Sequence, residues 1–324
     1  MKKLYLITGA SGHVGSVLVQ KLKERNDHIR ALIYHKQKDN LSDGMDVCFG
    51  DITDRDSLLP FFDRRGFDQV TLIHCAAHIT VASKEDPNLW RTNVVGTDNT
   101  MQLALCNGID RVVYVSSVHA IPERPFPEII TEVNSFSPDL VYGQYAKSKA
   151  AAAQSVLDYA KDGLNVSIVH PSGIIGPGDA LLRNHMIRTI RAMAAGRIPI
   201  AIRGGYDFVD SRDVVDGILS CEEQGVPGEC YILSGHYISV LDLLNTAREI
   251  AGKRRVTMEL PYGLARRIAP AAERISLRFS KTPPLFTPYS VYTLHTNGLF
   301  SHEKATKALG YFPRTIDQSI RASL

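Results

Sequence analysis

The chain has 324 residues, of which 44% are hydrophobic and 22% are charged, a composition typical of a globular protein with one large core or two lobes sharing one. Its formal net charge of +3 is too small to indicate by itself a nucleic-acid or membrane partner. No apolar run approaches the length of a membrane span. The short apolar run that starts at Leu4 leads directly into a glycine turn, so we expect no signal peptide.

The first predicted element is a short buried strand over residues 4–7 that ends in a turn rich in glycine. Gly9, Gly12 and Gly15 follow the strand, and a helical pattern of apolar residues comes next. A strand, a glycine turn and a helix in this order form the context that a dinucleotide-binding loop requires. Gly9 then permits the tight turn, Gly12 the close approach of a pyrophosphate, and Gly15 the packing of helix on strand. The same arrangement also occurs in strand-to-helix turns that bind no ligand.

Residues 28–34 are predicted to form a second strand, and the residues at its carboxyl end bear on the choice of cofactor. An acid at this point typically binds the ribose 2′-hydroxyl of NAD, whereas cations bind the 2′-phosphate of NADP. Here the strand ends without an acid and leads into Tyr34, His35, Lys36 and Lys38. We therefore expect NADP, with NAD as the alternative. A solvated basic loop would explain the same residues without a ligand.

Three more strands are predicted before the middle of the chain, over residues 45–50, 69–77 and 111–117. The first leads into Asp51 and Ile52, which we expect beside the adenine of a cofactor. The second ends in Ala76 and Ala77, whose small side chains allow a cofactor to pass close above. Asn93 then begins or continues a helix, either as a polar residue that stabilises the helix against the sheet or in direct contact with the chemistry. This alternation of strands and helices predicts an α/β fold with a doubly wound parallel sheet and helices on both faces.

Ser117, Tyr145 and Lys149 are the candidate catalytic residues. Ser117 ends the fifth predicted strand, at the edge where open α/β sheets bind ligands. Tyr145 and Lys149 are four residues apart in a strongly helical run, so their side chains share one helix face. A nearby ammonium and the positive nicotinamide ring of an oxidised cofactor both favour the phenolate, so we expect Lys149 and the cofactor to lower the pKa of Tyr145 and make it an acid/base. Ser117 would hydrogen-bond the substrate oxygen as charge develops on it.

Across nearly the whole chain, these motifs resemble the extended branch of the short-chain dehydrogenase/reductase superfamily. The resemblance rests on Thr8-Gly9-Ala-Ser-Gly12-His-Val-Gly15, Asp51-Ile52, His74-Cys-Ala-Ala77, Asn93-Val-Val-Gly-Thr97, Ser116-Ser117, Tyr145-x-x-x-Lys149 and Pro171-Ser-Gly-Ile-Ile-Gly-Pro177. It implies a Ser117, Tyr145 and Lys149 triad, with Lys149 also holding the nicotinamide ribose. The residues expected to contact the cofactor are Gly9, Ser11, Gly12, His13, Val14, Gly15, Tyr34, His35, Lys36, Asp51, Ile52, Cys75, Ala76, Ala77, Asn93, Tyr145, Lys149, Pro171, Ser172, Gly173 and Ile174.

Two departures from that pattern bear on the reaction. Sugar-nucleotide dehydratases usually have an Asp-Glu pair where this chain has Val118 and His119, and sugar-nucleotide epimerases usually have an arginine where it has Tyr206. The missing arginine argues against a diphosphate substrate. The segment is more similar to dihydroflavonol reductases and 3β-hydroxysteroid dehydrogenases. We therefore expect a carbonyl reductase or alcohol dehydrogenase for an apolar small molecule; a sugar-nucleotide epimerase and a non-catalytic dinucleotide sensor are the alternatives.

The predicted domains are a dinucleotide-binding domain over residues 1–174, to which 206–235 returns, and a smaller substrate lobe over 175–205 and 236–324. In the lobe, a helix over 181–187 is expected to bring Asn184, His185 and Met186 towards the substrate, although His185 is as readily a packing residue. His78 and His119 are nearer the expected catalytic edge. Residues 239–251 should form a helix with a serine cap at Ser239, and Gly310 should end a later helix.

Residues 253–281 carry eight lysines and arginines against two glutamates, interleaved with apolar residues. This pattern is compatible with a basic amphipathic helix at a membrane surface, with part of a substrate lid, or with a solvated helix that covers the lobe. For the whole protein we expect a cytoplasmic location, a small-molecule partner and no nucleic-acid, membrane or metal partner. A homodimer through the helices that carry Asn93 and Tyr145 is also expected. Five cysteines without paired spacing predict reduced thiols; they are Cys48, Cys75, Cys106, Cys221 and Cys230.

Overall fold

The computed structural model describes residues 1–34, 45–178, 184–279 and 286–324. Its strands are β1 Lys3–Thr8, β2 His28–Ile33, β3 Asp46–Phe49, β4 Gln69–His74, β5 Arg111–Val115, β6 Val166–Pro171, β7 Gly173–Ile175, β8 Ala201–Ile202, β9 Gly205–Asp210, β10 Cys230–Leu233, β11 His236–Ser239 and β12 Glu259–Leu260. Its helices are α1 His13–Glu24, α2 Arg55–Leu58, α3 Pro87–Trp90, α4 Gly96–Cys106, α5 Gln144–Lys161, α6 His185–Ala194, α7 Ser211–Gln224, α8 Val240–Ile250, α9 Tyr262–Phe279, α10 Pro288–Thr293, α11 Glu303–Leu309 and α12 Ile316–Ser323. Within these ranges, no helix has both the length and the apolar character needed to cross a membrane.

A seven-stranded sheet organises the fold, in the order β10-β6-β5-β4-β1-β2-β3. All of its strand pairs are parallel, and β1 lies between β2 and β4. One apolar core covers each face, the first built around α4 and α5 and the second around α1 and α7. The predicted doubly wound parallel sheet is therefore confirmed. The direction of winding reverses at β1 and β4, and a crevice opens there at the carboxyl edge, where such sheets bind ligands.

The strands end earlier than the sequence pattern predicts, by three residues at β4 and by two at β5. After β5, Ser117 caps a short 3₁₀ turn over Val118–Ala120, and its hydroxyl accepts a hydrogen bond from the His119 amide at 3.3 Å. After β4, the chain leaves the sheet for the loop that contains Ala76 and Ala77. The residues predicted to act at the strand ends therefore lie on the first turn beyond them. In that position their side chains and backbone face the crevice edge rather than the sheet.

Two smaller sheets lie beyond the large one in the chain's second half. Strand β9 pairs in parallel with β7 and antiparallel with β11, while β8 pairs with β12. A separate apolar core joins α6, α8 and the β7–β9 sheet, and a further small cluster joins α9 and α10. Within the 206–235 segment, α7 and β10 pack with the large sheet, whereas β9 belongs to the small one.

The predicted helix ends in this half of the chain are confirmed at both positions. The hydroxyl of Ser239 caps α8 by accepting a hydrogen bond from the Asp242 amide at 3.0 Å. Gly310 ends α11 with a positive φ of 64°. The predicted helix over 181–187 starts at His185, and residues 181–183 lie outside the described residues.

Candidate active site

The turn after β1 has the geometry that a dinucleotide loop needs. Gly9 has a φ of +68°, and a side chain there would lie 2.7 Å from the Ala76 amide nitrogen. A side chain at Gly15 would overlap the Gly9 carbonyl, so helix α1 can approach the turn only with glycine at this position. At Gly12, by contrast, an added Cβ would meet only the Gly9 oxygen, at 3.2 Å. The space above Gly12 is therefore open, at the positive end of α1, where a diphosphate would be stabilised.

The start of α1 is also tied to the loop that follows β7. His13 donates a hydrogen bond from Nε2 to the Pro177 carbonyl at 2.8 Å, and its Nδ1 lies 2.8 Å from Asn184 Nδ2. Ser16 donates to the Gly178 carbonyl at 2.7 Å. Both ring nitrogens of His13 therefore have protein partners. The ring therefore joins the glycine turn to the start of α6, and the predicted contact of His13 with the cofactor stays a prediction.

A buried polar chain fixes the neighbouring strand end. Thr8 Oγ1 lies 2.6 Å from His74 Nδ1 and accepts a hydrogen bond from the Ala76 amide at 3.2 Å. The other ring nitrogen of His74 lies 3.1 Å from Thr97 Oγ1. Burial lowers the pKa of His74 to about 3, so the ring is neutral at neutral pH. No sequence pattern predicts this set of hydrogen bonds, because Thr8 and His74 are polar residues within apolar strands.

The residues predicted beside the adenine lie at the end of β3. Asp51 accepts a hydrogen bond from the Thr53 amide at 2.8 Å, and Ile52 is buried with its side chain over Gly96. At the end of β2, Tyr34 is 58% exposed. The other residues predicted to select the cofactor, His35, Lys36 and Lys38, lie outside the described residues. Burial raises the pKa of the Cys75 thiol to about 12, so this residue stays protonated and is no nucleophile.

Asn93 lies in a π-helical turn, Arg91–Val95, between α3 and α4. Its side chain is buried and forms three hydrogen bonds: it accepts from the His78 amide at 2.7 Å, and it donates to the His78 carbonyl and to Ser148 Oγ at 2.9 Å each. Ser148 in turn donates to the Tyr145 carbonyl at 2.8 Å. These contacts support the first of the two predicted roles, because the amide connects the loop after β4 to the helix that carries Tyr145.

Ser117, Tyr145 and Lys149 meet at the carboxyl edge of β5. The Lys149 ammonium is buried and donates to the Val115 carbonyl at 2.9 Å and to the Tyr114 hydroxyl at 3.1 Å. Tyr145 is 8% exposed and Ser117 is 7% exposed. All three predicted catalytic residues therefore lie together, with Lys149 held in place by β5.

Burial and charge act in opposite directions on the protonation of the triad. Burial raises the pKa of Tyr145, although the charge of Lys149 and a hydrogen bond with Ser117 act to lower it. Burial also lowers the pKa of Lys149, against the opposing effect of Tyr145. In the protein without ligands, desolvation therefore outweighs the ammonium, and the expected lowering, which includes the charge of a bound oxidised nicotinamide, stays a prediction. The phenol is neutral, which is the form that donates a proton.

His119 lies over this triad and links two more tyrosines to it. Its Nε2 lies 3.0 Å from the Tyr206 hydroxyl and its Nδ1 lies 3.3 Å from the Tyr289 hydroxyl. The ring packs edge-on against Tyr145 with centroids 5.9 Å apart. Burial lowers the pKa of His119 to about 4, so it is neutral at neutral pH. The sequence placed His119 near the catalytic edge, but neither tyrosine partner was identified.

A cleft opens beside Tyr145 between the 3₁₀ turn after β5 and helix α10. Its walls are mainly apolar and aromatic, and they consist of Val118, His119, Ile121, Glu123, Ile130, Val141, Tyr142, Ala146, Tyr206, Tyr289, Thr293, Thr296, Asn297 and Phe300. Among these lining residues there is no lysine or arginine, and the one carboxylate, Glu123, accepts a hydrogen bond from Tyr292 at 2.8 Å. The cavity volume is about 20 Å³, which is room for about one water molecule, so it is the neutral and largely apolar character of the lining that points to the kind of molecule bound here.

The opposite wall of the site is the stretch that begins with His170 and Pro171. His170 donates from Nδ1 to the Ser117 carbonyl at 3.0 Å, which fixes the backbone of Ser117. Ser172 lies beside Asp207, whose carboxylate accepts from the Gly235 amide at 2.8 Å. Burial raises the pKa of Asp207 to about 7. A side chain at Gly173 would lie 2.7 Å from the Phe208 ring, so the Pro171–Ile174 stretch packs tightly on the small sheet.

The remaining predicted histidines are in different surroundings. His185 lies near enough to His119 to affect its charge, which brings α6 to the far side of the site. The side chain of His78 instead lies beside Asp86, with Nε2 and Oδ2 3.1 Å apart, and is 41% exposed. Of the predicted substrate-side histidines, His119 and His185 are therefore close together, whereas His78 faces away to Asp86.

Comparison with known proteins links this arrangement to one family. A model of the NAD dependent epimerase/dehydratase family matches residues 5–233. The chain is 32% identical over 315 residues to Sterol demethylase protein B of Methylococcus capsulatus, covering 95% of this chain and 93% of that protein. It is 29% identical to a provisionally named dihydroflavonol 4-reductase of Synechocystis sp., covering 99% of this chain and 93% of that protein.

A further curated relative and one solved structure extend the comparison. The chain is 26% identical to a 3 beta-hydroxysteroid dehydrogenase/Delta 5-->4-isomerase of Mycobacterium tuberculosis, covering 95% of this chain and 85% of that protein. The crystal structure of gox2253 has a TM-score of 0.83 and 29% identity, and the match covers 100% of this chain and 97% of that one.

Proposed function

The chain belongs to the NAD-dependent epimerase/dehydratase family, and we propose that it is an NADP-dependent reductase of neutral, largely apolar ketones or aldehydes. The resemblance to extended short-chain dehydrogenases/reductases, including dihydroflavonol reductase and 3β-hydroxysteroid dehydrogenase relatives, is confirmed by the matches. Family and relatives together make the chain an NAD(P)-dependent oxidoreductase. The carbonyl substrate, the choice of NADP and the roles of individual residues belong to the proposal.

The observation that carries the proposal is the neutral phenol of Tyr145 beside a cleft without cations. Reduction of a carbonyl needs a proton donor at the oxygen, and Tyr145 is protonated at neutral pH because the ordinary pKa of the phenol is near 10 and burial raises it further. A nucleotide-sugar substrate would need a cation for its diphosphate, and the lining residues include none. Aromatic and aliphatic side chains instead suit a flat or extended apolar molecule.

The residues of this chain fit a dinucleotide. The open space above Gly12 accepts the diphosphate, and the exposed backbone N–H groups at the start of α1 are the donors for it. Asp51 and Ile52 lie where the adenosine half would bind, and Pro171–Ile174 would face the nicotinamide. When bound, a reduced nicotinamide supplies the hydride for the carbonyl carbon. All protons come from the protein.

Ser117, Tyr145 and Lys149 then have separate roles at the carbonyl oxygen. Ser117 donates a hydrogen bond to the oxygen, and Tyr145 transfers its phenolic proton to it as negative charge develops. The Lys149 ammonium stabilises the phenolate that remains. His119 holds Tyr206 and Tyr289 over the site, which excludes water and orients the ring or chain of the substrate.

The preference for NADP rests on the absence of an acid at the end of β2 and on the cations that follow Tyr34 in the sequence. Titration of the protein with NADPH and with NADH, followed by nicotinamide fluorescence, tests it. We expect tighter binding of NADPH; tighter binding of NADH would contradict the preference.

The substitution Tyr145→Phe tests the proposed chemistry. We expect kcat to fall by about 10³-fold, because the proton donor is lost, while the Kd for NADPH changes by about threefold or less. Tyr159→Phe is the matched control, since Tyr159 lies on the same helix and its hydroxyl hydrogen-bonds Asp98 at 3.1 Å, away from the catalytic edge. Unchanged turnover in Tyr145→Phe would remove the basis of the mechanism.

One observation favours a sugar-nucleotide epimerase as a second candidate. Arg188 on α6 has a buried Nε without a hydrogen-bond partner among the described residues, and it lies close enough to His185 to affect its charge. A guanidinium there would bind an anionic substrate group. Under this alternative, a UDP-sugar raises the Tm of the wild-type protein but not that of Arg188→Met. Under the reductase proposal neither protein responds.

A further inference from the structure

Helix α9 presents a stripe of apolar side chains to solvent. Leu264, Ile268, Ile275 and Phe279 are 49%, 41%, 60% and 78% exposed. Their spacing of four, seven and four residues places them on one side of the helix. Single exposed apolar residues are common, but an aligned set over an entire helix is the signature of an interaction surface.

This stripe is not the side on which α9 packs against the protein. The packing side consists of Ala265, Ala269 and Glu273, which are buried. The two alanines pack against Val291 of α10, and Glu273 accepts a hydrogen bond from the Ser83 amide at 2.8 Å. At 100° per residue, the centre of the packing side lies about a third of a turn from the stripe. In the described part of the structure the apolar stripe is therefore exposed, although the helix is held in place by its packing side.

A row of arginines borders the stripe on its other side. Arg267, Arg274 and Arg278 are exposed, and the helix geometry places them about a quarter of a turn from the apolar side chains. Among the described residues, none of the three forms an ion pair or a side-chain hydrogen bond. The one acid on the helix, Glu273, faces inward. The outward surface thus combines unpaired positive charge with apolar side chains.

We propose that α9 lies on an anionic lipid bilayer, with the apolar stripe in the headgroup region and the arginines on lipid phosphates. An apolar side bordered by cations is the pattern of helices that bind in the plane of a membrane surface. A second copy of the chain fits this surface less well, because it would bring another row of arginines and no exposed acid from the same helix. The anionic headgroups provide the missing negative charge.

The position of α9 gives this contact a role in substrate access, a consequence that rests on the proposed function. Helix α9 packs on α10, and α10 carries Tyr289, which contacts His119 over the catalytic tyrosine. Thr287, at the start of α10, donates to the Val81 carbonyl at 2.6 Å. Helix α10 therefore contacts both the docked helix and the apolar cleft, and this continuity is the basis for a substrate path from the bilayer to the cleft.

Co-sedimentation with vesicles tests the docking. The full chain is mixed, without dinucleotide or substrate, with phosphatidylcholine vesicles that contain or lack phosphatidylglycerol. We expect binding only to the anionic vesicles. The double variant Ile268→Asp/Ile275→Asp should bind at least about tenfold more weakly. The triple variant Arg267→Gln/Arg274→Gln/Arg278→Gln should lose about fivefold per removed cation.

Leu277→Asp is the matched control, because Leu277 is 52% exposed on the same helix but points away from the stripe. It should bind vesicles like the wild type, and so should Tyr145→Phe, which separates docking from catalysis. A cooperative thermal unfolding transition shows that a variant is folded. If the double isoleucine variant does not fold, the triple arginine variant still tests the docking, because it changes only exposed side chains. Equal binding of stripe variants and wild type, or equal binding to both kinds of vesicle, would overturn the proposal. The proposal would also be overturned if the wild type binds no vesicles and sediments as a dimer in sedimentation velocity, while the double variant sediments as a monomer.

Discussion

Residues at the candidate active site differ in how many of their contacts can be predicted from the sequence. Tyr145 and Lys149 are one helical turn apart, so their spacing alone places them together, and the structure has them so. His119 contacts Tyr206 and Tyr289, which are 87 and 170 residues away in the sequence. No local pattern encodes those contacts. The raised pKa of Tyr145 was also missed, because burial depends on the packing of the entire site.

His119→Phe tests the role of this histidine in substrate binding. The variant keeps the ring against Tyr145 but loses both hydrogen bonds to the tyrosines, each worth about 1 kcal/mol. We expect KM for a carbonyl substrate to rise about tenfold, with a smaller change in kcat, as measured by initial rates. His28→Phe is the control, because His28 begins β2 at the opposite edge of the sheet. An unchanged KM in His119→Phe would show that the two tyrosines do not orient the substrate.

Among the elements, the glycine turn was predicted most completely, because its requirements are local. The order of strand, turn and helix and the role of Gly9 and Gly15 were read from the sequence, and the close approaches agree. The partners of the turn were not predicted. Pro177 and Gly178 receive hydrogen bonds from His13 and Ser16 over more than 160 residues of chain, which only the assembled fold brings about.

Two alanine substitutions in the turn should have different effects. Gly12→Ala places a methyl group 3.2 Å from the Gly9 oxygen and otherwise in open space, so we expect the Tm to fall by only a few degrees, about 4 °C or less, while the Kd for the dinucleotide rises at least about tenfold. Gly15→Ala places a methyl group on the Gly9 carbonyl, so we expect a loss of about 3 kcal/mol in the free energy of unfolding. Thermal unfolding and dinucleotide titration measure both. Equal losses of stability in the two variants would contradict the assignment of Gly12 to ligand binding.

At the scale of the whole molecule, the alternation of strands and helices predicts the parallel sheet. The sequence of the chain's second half does not predict how its short strands pair. Strands β7, β9 and β11 are three to six residues long and lie far apart in the sequence. Their pairing depends on the core that forms between them and α6 and α8. The same tertiary packing buries ionisable groups throughout the fold. As the pH falls, some of these groups lower the free energy of unfolding and others raise it.

His74 and Asp207 should show those opposite effects. The pKa of His74 is about 3 in the folded protein and about 6.5 in the unfolded chain, so on acidification the unfolded chain binds the proton first. The contribution of His74 to the free energy of unfolding therefore falls below pH 6.5, by about 2 kcal/mol at pH 5. The pKa of Asp207 is about 7 in the folded protein, so on acidification the folded chain binds the proton first. The contribution of Asp207 to the free energy of unfolding therefore rises by about 2 kcal/mol as the pH falls from 7 to 5.

Denaturant unfolding of His74→Gln and Asp207→Asn at pH 5 and pH 8 measures these contributions. Relative to the wild type, His74→Gln should lose less stability on acidification and Asp207→Asn should lose more. A change of the same sign in both variants would contradict the burial assigned to one of the two groups.

Consumption of NADPH shows directly whether this chain reduces neutral apolar carbonyl compounds. The purified protein is offered aromatic, steroid and aliphatic ketones and aldehydes, with UDP-glucose as the charged comparison, and the loss of reduced-nicotinamide absorbance is followed. We predict that at least one neutral carbonyl compound is reduced with one NADPH consumed per alcohol formed, and that UDP-glucose is not converted. Epimerisation of UDP-glucose without net consumption of cofactor, with no carbonyl compound reduced, would contradict the account.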